Sequence, residues 1–192
     1  MSRRSGPFNL TIGDFLRSSW MQENLPAGLA AARRLNTDYP EIVRELKRKY
    51  RLEEQTSWDA YGQGVASFVD AWFYRDAAEF RMPQQGPGFS HFTGLWILLC
   101  RPLPCFVMGE GQRSWHAKGA AGYMPSFSQV DRFDSPAVRD LARKVEPLLV
   151  ERGLTRLKKQ EVATTLPADI EIESNLIDGQ QRIYDALFYW YD

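Results

Sequence analysis

The chain has 192 residues, and its 24 Lys+Arg balance 24 Asp+Glu, so nothing in the net charge demands a polyanionic partner. Hydrophobic residues make up 44% and charged residues 25%, and the aromatics are plentiful, which excludes a wholly disordered chain and allows a sizeable core. Two cysteines, Cys100 and Cys105, are too few for a disulfide scaffold, although one disulfide between them stays open in an oxidising compartment.

The charge is uneven along the chain. Residues 1–50 carry nine basic and five acidic groups, whereas residues 162–192 carry one base, Arg182, and six acids. The opening MSRRSGPFNLTIGDFL lacks the apolar core and cleavage pattern of a signal peptide, and the longest greasy run, GLWILLC, is too short to span a bilayer. A cytoplasmic location without a membrane partner is the expectation.

Residues 8–25 fit one strand or a short helix. PAGLAAARRL, residues 26–35, reads as helix, with Pro26 near its first turn. The next segment predicts an amphipathic helix opened by Pro40, with Ile42, Val43, Leu46 and Tyr50 as its apolar stripe. Residues 56–81 fit both helical spacing (Val65, Phe68, Val69, Trp72) and a weaker alternation, and are read as helix. RMPQQGPGFSHF is turn-rich. Residues 94–99 and 105–109 predict neighbouring strands around RPLP, followed by a loop to Ser135. Ser135 and Pro136 then cap the clearest helix, with Val138, Leu141, Ala142, Val145, Leu148 and Leu149 facing inward, Pro147 as a blemish and Gly153 as the stop. DIEIES predicts an edge strand, and IYDALFYWYD a late strand or helix tied into the core. The expected fold is a single α+β domain over residues 1–192, with a central, mostly antiparallel sheet, flanking helices and a more helical N-terminal part. The competing division sets a helical subdomain at 1–82 beside a sheet-containing core at 90–192.

Chemistry-bearing residues are sparse. His91, Cys100, Cys105 and His116 supply zinc-type ligands without a recognised spacing, and the reading assigns no metal and no cofactor. His116, with Lys118 nearby and Asp131 or Asp134 across the loop, is a candidate general base, but no nucleophile motif accompanies it, and no catalytic residue is assigned. Arg33, Arg34, Arg44, Lys47, Arg48, Lys49 and Arg51 form a basic stripe interrupted by acids, which reads as a solvated helix face before a nucleic-acid site. Asp169, Glu171 and Glu173 alternate with Ile170 and Ile172, so one strand can bury its isoleucines and display its carboxylates. Asp178, Asp185 and Asp192 add charge nearby, and Tyr184, Phe188, Tyr189, Trp190 and Tyr191 offer aromatic anchors, most of them expected in the core.

Taken together, SWHAKGAAGYMPSFSQVDRF, the acidic LPADIEIES segment and the ending YDALFYWYD resemble cytoplasmic immunity proteins of bacterial polymorphic or contact-dependent toxin systems, over roughly residues 90–192. The resemblance implies a non-enzymatic protein that binds a cognate toxin or effector domain and covers its active site or freezes its conformation. It makes Asp169, Glu171, Glu173 and Asp178 provisional partner contacts, with Trp115 and His116 as a second surface. The alternatives are a small enzyme using His116 as general base, or a nucleic-acid-binding or phage-associated interaction protein.

Overall fold

In FVDAWFY the side chains alternate between two covered faces, so every residue from Phe68 to Phe73 is buried and the run carries no amphipathic signature. This is why residues 56–81, read as helix from the sequence, contain strands instead. The computed structural model describes residues 38–58, 65–83, 88–116, 119–120, 125–166 and 180–191. Helix α1 (Tyr39–Tyr50) leads into β1 (Glu53–Ser57), followed by β2 (Val65–Ala66) and β3 (Phe68–Tyr74). Two twelve-residue strands, β4 (Phe89–Cys100) and β5 (Cys105–His116), form the central hairpin, with β6 (Gly119–Ala120) beyond it. Helix α2 (Pro136–Glu151), β7 (Thr155–Arg156), α3 (Lys159–Val162), α4 (Ile183–Leu187) and β8 (Trp190–Tyr191) complete the order.

The main sheet runs β1-β3-β4-β5-β6, antiparallel throughout, and β7 joins β5 in parallel. A second, two-stranded sheet pairs β2 with β8. The result is a single α+β domain with flanking helices, and strands from both sides of residue 82 share one sheet. Strand β5 extends to His116, so the loop expected from residue 109 begins later than the sequence suggests. GEGQ carries little strand propensity; pairing with β4 over eleven residues overrides it.

The two long helices form as the sequence predicts. Ser135 Oγ accepts from the Val138 amide, Pro136 fills the first turn, and the six expected side chains are buried. Pro147 stays inside α2 on its exposed side, where water can take up the carbonyl it leaves unbonded. Helix α2 packs on β4 and β5, and α1 lies beside it: Tyr50 donates to the Lys144 carbonyl at 2.7 Å, and Arg152 pairs with Glu45. The opposite face is covered by residues 127–130 and by the C-terminal segment. A Cβ placed on Gly109 would meet the Gln129 carbonyl, Phe127 sits edge-on to Tyr184, and Phe188 lies against Phe68.

Candidate functional site

The register Trp72↔Trp96, Phe92↔Arg113 and Ser90↔Trp115 places Trp72, Tyr74, Phe92, Arg113 and Trp115 on the face opposite α2. Their rings close into a cluster. Trp115 stacks on Phe92 with centroids 5.4 Å apart and 13° between planes, and meets Tyr74 and Trp72 edge-on at 5.6 and 6.3 Å. Tyr74 stacks on Trp72 at 4.8 Å. Trp72 and Phe92 are buried, whereas Tyr74 and Trp115 are half-exposed, so the cluster has a packed floor and an open upper side. Burial pushes the Tyr74 hydroxyl pKa up, and the carboxylates of Glu53 and Asp76 add to it.

Two arginines edge the rings. Arg113 lies 5.3 Å from the Trp72 centroid and pairs with Asp70 at 2.5 Å, their side chains only 11% and 1% exposed. Arg81 lies 5.3 Å from the Phe92 centroid and pairs with Asp76, its side chain 57% exposed. Arg113 spends its N–H groups on Asp70 and the Gln55 carbonyl, so what the surface offers is an aromatic face with the exposed Arg81 guanidinium at its rim.

Trp115, expected as a partner contact, lies on this face, half-exposed and stacked on Phe92. His116, its neighbour, points to the other face, where its ring lies 5.0 Å from Phe89. It packs over Gly88, whose φ of +80° suits glycine and where a Cβ would come within 2.7 Å of His116 Nε2. Asp131 and Asp134 are not brought to His116. The Gly109↔Val130 bridge sets that segment seven residues down β5, about 23 Å away at strand rise. Asp131 instead pairs with Arg156 and accepts from the Lys159 amide, and Asp134 pairs with Arg132 at 2.8 Å. His91 and the cysteines likewise sit at opposite ends of the hairpin, and among the described residues no three His, Cys, Asp or Glu side chains gather as a metal site would require.

Asp169, Glu171, Glu173 and Asp178 lie outside the described residues, as do Arg33, Arg34, Lys118 and the DIEIES strand. Of the basic stripe, Arg44, Lys47, Arg48, Lys49 and Arg51 are exposed on or just beyond α1 among acids; Lys47 pairs with Glu53 at 3.6 Å. Tyr184, Phe188 and Tyr189 are buried core and Trp190 is half-buried. Sequence reasoning missed Asp70, Trp72, Tyr74, Phe92 and Arg113. The usable signal was the i, i+2 series Phe68, Asp70, Trp72, Tyr74, hidden by the equally apolar residues between. Searches of family models, of curated proteins and of solved structures find no match to this chain.

Proposed function

We propose that the chain is a non-enzymatic protein-binding module of the immunity type, which neutralises a cognate bacterial toxin or effector domain by stoichiometric capture. The observation that carries this reading is the half-exposed Trp115, stacked on Phe92, backed by Tyr74 and Trp72, and rimmed by Arg81 and Arg113. Tryptophan, tyrosine and arginine supply most interface energy, and rings already locked against one another lose little freedom on binding. In this reading Asp169, Glu171, Glu173 and Asp178 form a second contact that steers a basic toxin surface toward the protein.

The test is affinity capture of the tagged full chain from its native cells, with native mass spectrometry of the eluate, followed by titration of the captured domain. One toxin domain at 1:1 is expected, and Trp115→Ala should weaken it by roughly thirtyfold, about 2 kcal/mol. Circular dichroism checks that the variant is folded. A folded Trp115→Ala protein that binds its partner undiminished would remove this surface from the interface.

A further inference from the structure

The hairpin register that ends at Leu99↔Phe106 sets Cys100 directly opposite Cys105 across the RPLP loop, both side chains on the face opposite α2. Directly opposed residues are about 4.5–5.5 Å apart at Cα, inside the roughly 4.4–6.8 Å that a disulfide spans. Both thiols are reduced and buried, and they share a hydrogen bond. Above them lies the C-terminal segment. Cys100 Sγ reaches the Leu187 carbonyl at 3.6 Å, and Phe188 covers Phe68, the cross-strand neighbour of Cys100. Leu187 and Phe188 thus lie over the pair on that side.

We propose that Cys100 and Cys105 are a peroxide-responsive dithiol, exposed when the C-terminal segment lifts, whose oxidation to a disulfide keeps that segment from reseating. While the segment is seated, the hydrogen bond to Cys100 and burial hold the Cys105 thiol pKa well up, so the closed pair is inert. When it lifts, a thiolate of the pair attacks one peroxide oxygen, the O–O bond breaks and a sulfenic acid forms with loss of hydroxide. The second thiol then displaces the sulfenic oxygen as water and the S–S bond closes. Two thiols lose two electrons, one peroxide becomes two waters, and the proton that Cys100 presented to Leu187 is gone.

The experiment treats the full chain with hydrogen peroxide under native conditions and follows intact mass, non-reducing peptide maps and amide hydrogen exchange. A loss of about 2 Da, a peptide joining residues 100 and 105, and faster exchange in 183–191 are expected, all reversed by dithiothreitol. Phe188→Leu, a mild loosening of the cover, should speed the cross-link by roughly tenfold. Two outcomes would each overturn the proposal. One is added oxygen without the cross-link. The other is a cross-link that leaves exchange in 183–191 unchanged. The exchange readout needs only the wild-type chain, so a poorly folding variant does not decide it.

Discussion

Asp131 adopts a φ of +60°, a conformation that Asp and Asn tolerate better than most residues, and it uses that turn to serve two donors. One is the Lys159 amide at 2.5 Å, the other the Arg156 guanidinium, only 4% exposed and stacked over Phe106. Burial pushes the Arg156 pKa down and the Asp131 carboxylate pulls it back, so the pair is held together by mutual need. Asp131→Ala, which leaves Arg156 only the Met108 and Leu157 carbonyls as acceptors, should cost about 1–3 kcal/mol in urea unfolding, and Asp131→Asn, which keeps the turn and an acceptor, should cost less. None of this was legible in the sequence, where Asp131 reads as a partner for His116. The two are close in number, but an antiparallel hairpin sends them to opposite ends. Trp115 stands out in the sequence as a tryptophan beside a turn-rich stretch, yet its stacking partners come from strands that the sequence hides.

At the scale of the element, what was legible follows from periodicity. Helices α1 and α2 each bury one stripe and carry end signals, so both appeared with their core residues. Strands β3, β4 and β5 are covered on both faces over much of their length, and a strand buried twice has no period to read. Glycines in these strands are structural. Gly94 and Gly109 leave room for the indoles of Trp72 and Trp96 to lie across the sheet, and those indoles donate to the Gly111 and Glu110 carbonyls at 3.1 Å. A methyl at 109 would come within 2.9 Å of the Trp96 ring and overlap the Gln129 carbonyl. Gly109→Ala should therefore destabilise by about 1–3 kcal/mol, seen as a lower urea midpoint, with the near-ultraviolet tryptophan signal altered. A midpoint equal to wild type would mean that residues 127–130 can back away from the sheet.

For the molecule as a whole, the α+β class and the flanking helices were legible, while the β2–β8 pairing that fastens the C-terminal segment was not, because it joins residues more than a hundred positions apart. That segment carries a titration. Burial raises the Asp185 carboxyl pKa, opposed by its hydrogen bond from the Arg182 amide and by the Arg182 charge. A carboxyl whose folded pKa exceeds its unfolded one binds its proton more tightly when folded. It costs stability above the folded value, and the cost fades as pH falls through the interval toward the unfolded value. Wild type should thus gain on Asp185→Asn as pH drops from 7 toward 4 in paired urea titrations; parallel curves would remove Asp185 from the acid response.

Ser67 makes the same closure in another way. Its hydroxyl and backbone exchange hydrogen bonds with Leu187 and Tyr189, including the Tyr189 amide at 2.8 Å, 122 residues along the chain. On a ribosome adding about 5–20 residues per second, Ser67 is made roughly 6–25 s before the groups that satisfy it. The central hairpin and α2 emerge in that interval with the Cys100 face uncovered. Synthesis itself therefore gives each new molecule a period in which its two thiols are open to solvent, before residues 183–189 shut them in.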